Sequence, residues 1–298
     1  MYQSPEGGAA VSTLLKTENL TYIYGRKTAF EKAAVRNVNI EIKKGEIIGV
    51  IGHTGSGKST LMQMLNGLIT PTEGKVYLDG NDIFTSKKSL REVRFRVGLV
   101  FQYPENQLFE DTVRKDISFG PRNMGLDNAE VAERVKSAAH FAGLKDELLD
   151  RSPFDLSGGE KRRAAIAGVI AMEPEILILD EPTAGLDPMG RDVLLSQIEN
   201  YHKTRGNTVL LVSHNMEDIA KIADRVLVMY RGEAVMFDTT KEVFSHGEEL
   251  EKMGLRLPQI TKITESLRKA GVNLSEGILT TGQAFAEITS LLRKEGKL

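Results

Sequence analysis

The stretch Gly52-His53-Thr54-Gly55-Ser56-Gly57-Lys58-Ser59-Thr60 decides the fold of this chain. It matches the pattern G-x-x-x-x-G-K-[ST] of a phosphate-binding P-loop. Residues 46–51 before it are mostly apolar and rich in β-branched side chains, which predicts a buried strand, and residues 61–65 after it favour a helix. Strand, glycine loop and helix is the order that the motif needs. Because the pattern also arises by chance in roughly one chain in a hundred of this length, the assignment depends on the rest of the sequence.

The P-loop pattern assigns a role to each part of the stretch. Its glycines let the backbone turn successive N–H groups toward an anion, and the following helix adds the positive end of its dipole. Lys58 would reach the β- and γ-phosphates of a nucleotide, and the hydroxyl of Ser59 would bind Mg²⁺. The residues expected around the phosphates are Gly52, Thr54, Gly55, Ser56, Gly57, Lys58, Ser59 and Thr60.

The composition excludes several classes of protein. The 298 residues carry 39 basic and 41 acidic side chains, a formal charge of −2, so we expect no nucleic-acid partner. Cysteine is absent, which excludes disulfides and thiolate metal sites. Apolar runs fall far short of the roughly twenty residues of a membrane span, and no signal peptide is recognisable. We therefore expect a soluble, cytoplasmic chain that acts at a membrane only through a partner.

The order of the predicted elements indicates an α/β protein with a P-loop NTPase core. Strand patterns at residues 14–24 and 38–42 predict an N-terminal antiparallel β subdomain. Unbroken apolar runs at 176–180 and 208–212 predict buried parallel strands within a mixed sheet. Residues 103–172 between the P-loop and these strands predict an inserted α-helical subdomain. We divide the chain into a flexible tail (1–12), a core domain (13–240) and a C-terminal helical extension (241–298).

Polar side chains follow three of the predicted core strands. Asp180 ends the apolar run Ile176-Leu177-Ile178-Leu179, as in a Walker B strand, and would hold Mg²⁺ beside the P-loop. Glu181, the next residue, would orient the attacking water. His214 could bond the γ-phosphate or the water, and Gln102 could bond Mg²⁺ or the water. Taken singly, each has an ordinary explanation, such as a solvated strand end or a capping histidine.

The segment Leu156-Ser157-Gly158-Gly159-Glu160 predicts a second anion-binding helix start. Ser157 is a good N-cap residue, and the glycines would expose backbone N–H groups at the helix N-terminus. An ordinary capped helix would explain the serine alone. Two glycines in a first turn are unfavourable unless something must approach the backbone closely.

Taken in order, these motifs closely resemble those of the ATP-binding subunit of ABC transporters. The set comprises the P-loop, Gln102, Leu156-Ser157-Gly158-Gly159-Glu160, the strand ending in Asp180-Glu181, Ala184-Gly185-Leu186-Asp187 and His214. The resemblance covers about residues 14–238 and implies that the core domain is an ABC ATPase domain. It also implies a head-to-tail dimer of ATPase subunits, with each ATP between the P-loop of one subunit and the Ser-Gly-Gly segment of the other.

The resemblance extends the list of expected site residues. It places Ser157, Gly158 and Gly159 on ATP, and Asp187 in the loop that links the two ATP sites. Tyr24 matches the aromatic residue that stacks on adenine, with Tyr22 as the alternative. The resemblance implies catalytic roles for Glu181, His214 and Gln102, and a magnesium site of Ser59, Gln102 and Asp180. One departure is Glu160, where the family usually has glutamine.

Further segments indicate a branch of the family. The run Phe101-Gln102-Tyr103-Pro104-Glu105-Asn106-Gln107 and the C-terminal extension resemble the ATPases of energy-coupling factor importers and of related cobalt and nickel importers. Gly52-His53-Thr54-Gly55 and Arg151-Ser152-Pro153-Phe154-Asp155 are similar to the second of two paralogous ATPase subunits. The resemblance implies three partners: a second ATPase subunit, a transmembrane coupling protein and a substrate-binding membrane protein. The imported solute would be a vitamin or a transition-metal ion.

Three alternatives remain at this point. The chain could pair with itself, as in a metal importer with one type of ATPase. It could be an ABC-type ATPase that moves no solute, although repair types carry a long coiled coil between Lys58 and Leu156 for which this chain has no room. It could also hold ATP without hydrolysing it, against which the presence of Asp180, Glu181 and His214 argues.

The expected location is the cytoplasmic face of the cell membrane, as a peripheral subunit. We expect the transmembrane coupling protein to contact the region from Gln102 to Asp111, where Glu105, Glu110 or Asp111 would pair with its basic residues. An equally plain explanation of these carboxylates is a solvated charged surface. In the C-terminal extension, apolar residues at helical spacing predict helix packing, either onto the core or between two ATPase subunits.

Overall fold

The computed structural model of the protein describes residues 12–294. Apart from Ser12, the expected flexible tail (1–12) lies outside the described residues, as do the last four residues of the expected extension. The strands are β1 (Thr13–Tyr24), β2 (Lys32–Val38), β3 (Glu41–Lys43), β4 (Ile47–Ile51), β5 (Glu73–Leu78), β6 (Asn81–Asp82), β7 (Val97–Val100), β8 (Ile176–Asp180), β9 (Thr208–Val212), β10 (Arg225–Tyr230) and β11 (Glu233–Thr239). The α-helices are α1 (Lys58–Leu65), α2 (Lys87–Arg96), α3 (Val113–Met124), α4 (Asn128–Phe141), α5 (Gly158–Ile170), α6 (Pro188–Arg205), α7 (Met216–Ile222), α8 (Thr240–Ser245), α9 (Gly247–Lys252), α10 (Gln259–Lys269) and α11 (Thr281–Lys294).

A six-stranded sheet in the order β11-β10-β4-β9-β8-β7 forms the centre of the molecule. Its strands are parallel except β11, which runs antiparallel to β10. Successive side chains point into different apolar clusters: Ile47 and Ile51 into one, Ile48 and Val50 into the other. Because helices or the second sheet cover both faces, the central strands are apolar throughout. This arrangement confirms the predicted mixed, largely parallel sheet.

The parallel register brings four chain segments to one edge of this sheet. The strands β4, β9, β8 and β7 are neighbours and run in the same direction, so their carboxyl ends lie side by side. The segments that follow them contain Gly52, His214, Glu181 and Gln102, each within two residues of its strand. Ligands of open α/β sheets bind at this edge.

A second, antiparallel sheet precedes and follows the P-loop in the chain. Its central strand β1 pairs with β2, β3 and β5, and β5 pairs in turn with β6. Leu15, Val35 and Val76 of this sheet are fully buried in the same cluster as Leu61 of α1. The antiparallel N-terminal region is therefore as predicted, and it covers one face of the central sheet.

The single strand predicted at residues 38–42 is wrong, because the chain breaks there. β2 ends at Val38 and β3 begins only at Glu41. At the break, the buried Thr17 donates its Oγ1 proton to the carbonyl of Val38 (2.8 Å) and accepts from the N–H of Ile40 (3.1 Å). A side chain thus replaces ladder hydrogen bonds, and an apolar–polar alternation cannot reveal that exchange.

Helices α3, α4 and α5 occupy the segment between β7 and β8, which the sequence predicts as mostly helical. Their buried residues, such as Ile117, Val135 and Ile166, join the cluster on the second face of the central sheet. The sequence pattern does not predict helix α2. Of its side chains only Val93 is buried, so it presents almost no apolar periodicity, and its N-cap Ser86 accepts from Ser89 N (3.1 Å).

The C-terminal extension packs in two ways. Phe244, Leu250 and Leu257 join the main apolar cluster, whereas α10 and α11 close a small cluster of their own around Leu274 and Ala284. Packing onto the core and packing within the extension therefore both occur. Within residues 12–294, none of the helices combines the length and apolar composition needed to cross a lipid bilayer.

We predict that Thr17→Val lowers the free energy of unfolding by about 1–3 kcal/mol, because the isosteric side chain removes both hydrogen bonds of the Thr17 hydroxyl, to Val38 O and from the N–H of buried Ile40. Thr13→Val in the same strand is the control, since Thr13 is exposed and should change stability by less than about 0.5 kcal/mol. The free energies of unfolding are measured in urea, and equal losses in the two variants would contradict the role assigned to Thr17.

Candidate nucleotide-binding site

The glycines of the P-loop have conformations that other residues rarely adopt. Gly52 and Gly57 have φ angles of 155° and 101°. A Cβ atom at Gly52 would collide with the carbonyl of Met229, and one at Gly57 with the carbonyl of Ala34. These two positions therefore need glycine for space as well as for torsion angle. Gly55, with φ of 81°, faces open space and leaves room for a ligand.

Lys58 lies inside the curled loop. Its Nζ donates to the carbonyl oxygens of Gly52 (2.6 Å) and His53 (3.2 Å). Burial lowers the pKa of the Lys58 ammonium, while the carboxylates of Glu181 and Asp180 act in the opposite direction. A buried cation whose acceptors are neutral carbonyls would gain strongly from an anion in the loop.

Asp180 and Ser59 meet beside the loop. Burial raises the pKa of the Asp180 carboxyl, and a hydrogen bond from Ser59 together with the charge of Lys58 opposes that rise. Asp180 is only 6% exposed. A hydroxyl and a nearly buried carboxylate are hard oxygen ligands of the kind that Mg²⁺ prefers. The pair therefore fits the expected magnesium site.

The carboxylate of Glu181 is held from two sides. Gln102 Nε2 donates to its Oε2 (3.0 Å), and His214 Nε2 lies 2.6 Å from its Oε1. Glu181 also has a positive φ of 52°, which is uncommon for a residue with a side chain. The three residues expected to be catalytic are thus brought into direct contact. Strained backbone of this kind is frequent at functional sites.

The two tyrosines considered for adenine differ in position. Tyr24 is 43% exposed, and its hydroxyl lies 3.2 Å from Thr60 Oγ1 at the start of α1. Tyr22 is partly buried in the cluster beneath the antiparallel sheet and packs edge-on against Tyr24 (4.8 Å). The position of Tyr24 beside the loop favours it as the aromatic surface for a base.

The Ser-Gly-Gly segment opens α5, as predicted. Ser157 is the N-cap, and Glu160 completes a capping box by accepting from Ser157 N (2.9 Å) and Ser157 Oγ (2.6 Å). Glu160 departs from the usual glutamine of the family, but serine and glutamate three residues apart are also a capping signal that the sequence contains. Among residues 12–294, no atom outside the immediate helix backbone lies within 4 Å of a Cβ placed at Gly158.

The structure does not bring every predicted site residue together. Within residues 12–294 no hydrogen bond connects Ser157, Gly158 or Gly159 to the P-loop. Asp187 is exposed and caps α6 by accepting from Gly190 N (2.6 Å). The two elements expected to bind anions are thus separate, and one of them is exposed to solvent.

Comparison with known proteins identifies similar chains. Residues 35–184 match the family model described as "ABC transporter". The energy-coupling factor transporter ATP-binding protein EcfA2 of Clostridium perfringens is 55% identical over 280 residues, which cover 94% of this chain and 98% of that protein. The solved structure of cbiO1 from C. perfringens, part of the ABC transporter complex cbiONQ, is 40% identical with a TM-score of 0.72 and covers 85% of this chain and 99% of that one. The dimeric ATP-binding cassette MJ0796, in a post-hydrolysis state with ADP and Pi, is 27% identical with a TM-score of 0.70, covering 76% and 99%.

We predict that Glu181→Gln retains ATP binding but lowers the hydrolysis rate of the assembled ATPase by about 10²–10⁴-fold, because the amide cannot act as a base toward water. Lys58→Ala should instead abolish ATP binding. The control Glu130→Gln, at the cap of α4, should leave both ATP binding and ATP hydrolysis unchanged. The measurements are ATP affinity and phosphate release. Normal turnover of Glu181→Gln would move the catalytic role to another residue.

Proposed function

The chain belongs to the ABC transporter family of ATP-hydrolysing subunits, and we propose that it is one of two different ATPase subunits in an energy-coupling factor importer. ATP hydrolysis by this family is coupled to transport across a membrane. In the proposed complex the chain lies at the cytoplasmic face, bound to a transmembrane coupling protein that works with a small substrate-binding membrane protein. The solute is a vitamin or a transition-metal ion.

The single observation that carries the proposal is the separation of the two anion-binding elements. The P-loop surrounds Lys58 at the edge of the central sheet, whereas Gly158 has open space where a side chain would be. A free helix start with a serine cap and glycines suits the phosphate of a nucleotide bound to another subunit. In a head-to-tail pair, the Ser-Gly-Gly segment of each chain would lie against the nucleotide in the P-loop of the other.

The residues beside the P-loop fit a nucleotide with Mg²⁺. Ser59 and Asp180 would hold the ion, with Gln102 close by through its contact with Glu181. When bound, Mg²⁺ supplies positive charge that offsets the charge of the β- and γ-phosphates. Lys58 would exchange its carbonyl acceptors for phosphate oxygens.

The Glu181 carboxylate is the group that would accept a proton from water. His214 and Gln102 hold its two oxygens, so the carboxylate keeps one orientation before a substrate arrives. Pre-orientation of this kind lowers the reorganisation needed in the reaction. ATP would close the dimer because both faces of the nucleotide are then bound, and loss of phosphate would open it.

The surface after Gln102 supports a contact with a membrane partner. Phe109 and Phe119 are 58% and 48% exposed and pack edge-on against each other (5.1 Å). Beside them, Asp111 pairs with the exposed Lys115 (2.7 Å). The carboxylate of Glu105, by contrast, already forms a salt bridge with Arg162 of α5 (2.8 Å). Among the three carboxylates considered, Glu110 and Asp111 are therefore the better candidates for pairing with basic residues of the partner.

Solution mass tests whether the second ATPase subunit is a different chain. We predict that the Glu181→Gln protein alone stays near its monomer mass of 32.9 kDa with Mg-ATP bound, because its partner is a paralogue. With the second ATPase subunit present, Mg-ATP should drive a stable pair. Gly158→Ala should weaken that pairing by filling space reserved for the nucleotide, whereas Gly282→Ala in α11 should not. A doubled mass of the single chain with Mg-ATP would instead establish a homodimer.

Reversal of charge tests the membrane contact. We predict that Glu110→Lys combined with Asp111→Lys prevents co-purification with the coupling protein, because like charges would face its basic residues. Glu133→Lys on the exposed face of α4 is the matched control and should leave assembly intact. Assembly that survives the double reversal would show that these carboxylates only solvate the surface.

A further inference from the structure

Arg162 is an almost fully buried cation, 6% exposed, in the first half of α5. Its Nη2 and Nε donate to the two carboxylate oxygens of Glu105 (2.8 and 3.2 Å). Its Nη1 donates to the carbonyl oxygens of Ala184 (2.6 Å) and Pro182 (3.2 Å). One side chain thus bonds three residues on two loops that are distant in the sequence.

Both loops carry residues of the site. Glu105 lies three residues after Gln102, in a short 3₁₀ helix that opens the segment expected to meet the membrane partner. Pro182 directly follows Glu181, and Ala184 lies between it and Asp187. The second loop is also anchored by buried Thr183, which donates to Asp218 Oδ2 (3.0 Å). The exposed hydrogen bond from Gln102 to Glu181 joins the two loops directly (3.0 Å), and Arg162 adds a buried connection between them.

The contacts of residue 162 with Glu105 and with the two carbonyl oxygens require the side chain of arginine. The planar guanidinium binds a carboxylate through two parallel N–H groups, and its third nitrogen remains available to donate to the carbonyl oxygens. A lysine ammonium is a compact point charge that cannot reach both the carboxylate and the carbonyl oxygens. Burial would raise the pKa of Glu105, but the hydrogen bonds and charge of Arg162 hold it below its ordinary value. The pair is therefore ionised in the folded chain.

We propose that Arg162 is a positioning residue that couples the loop after Gln102 to the loop carrying Glu181. A shift of Glu105 is passed through the guanidinium to the carbonyls of Pro182 and Ala184, next to the catalytic carboxylate. Contact at the segment from Gln102 to Asp111 thereby changes the orientation of Glu181. The proposal rests on the proposed function, since it assigns a route between partner contact and hydrolysis.

The test uses the full chain assembled with the other transporter subunits. Arg162→Gln should lower kcat for ATP by about 10–100-fold, because small displacements of a catalytic group have effects of that size. The KM for ATP should change by less than about threefold, since the P-loop is untouched. The kcat of Arg162→Lys should lie between that of Arg162→Gln and that of the unsubstituted protein. Equal losses in kcat and in ATP affinity would overturn the proposal.

A double-mutant cycle separates coupling from a purely structural effect. Glu105→Gln alone should lower kcat less than Arg162→Gln, because the carbonyl bonds remain, and the combined variant should be no slower than Arg162→Gln. Additive losses would mean that the two residues act independently and would overturn the proposal.

A second arginine provides the control. Arg96 grips Glu175 with its Nε (2.5 Å) and Nη2 (3.0 Å) in the same two-pronged way, but between α2 and the start of β8, away from the site. Arg96→Gln should lower the melting temperature and leave kcat within twofold. A comparable loss of kcat in Arg96→Gln would reduce Arg162 to a general structural role. A different experiment would show failure of the proposed function itself, namely a normal rate of ATP hydrolysis in Glu181→Gln.

Discussion

The parallel register of β4, β9, β8 and β7 is the constraint on which the rest of the structure depends. Hydrogen-bonded neighbours that run in one direction must end at the same edge, so the segments after them are close in space however far apart they are in the chain. The P-loop, His214, Glu181 and Gln102 follow these four strands. The remaining elements hold this arrangement in place: the antiparallel sheet covers one face, and the helices α3 to α6 contribute to the cluster on the other.

The charges at this edge are arranged for a ligand that the chain does not supply. Lys58 is buried against neutral carbonyls, and Asp180 is buried beside a serine hydroxyl. Burial lowers the pKa of the lysine and raises that of the aspartate, so desolvation disfavours both charged forms. A phosphate and a divalent cation would reverse both effects. Mg-ATP bound at this edge would therefore compensate charges that the fold has already removed from water.

Two other carboxylates show how a residue's role depends on its neighbours. Glu160 stands where the family usually has glutamine, and its carboxylate closes the capping box of α5 and orients Ser157. Glu105 lies in an acidic segment that suggests a surface for a partner, yet Arg162 occupies both of its oxygens. In each case the side chain type is evident from the sequence, but its hydrogen-bond partner decides what it does.

The sequence by itself determined the central strands, the P-loop segment and the polar residues that follow those strands, because these depend on local patterns. An unbroken apolar run predicts a strand buried on both faces, and the glycine–lysine–serine spacing is typical of a phosphate-binding loop. Only the tertiary structure decided the break between β2 and β3, where Thr17 supplies the hydrogen bonds, and the tie of Arg162 to two loops. These contacts join residues that are 20 to 57 positions apart. Periodicity and spacing report on a residue's own segment, whereas hydrogen bonds of a buried side chain depend on which distant backbone the fold places beside it.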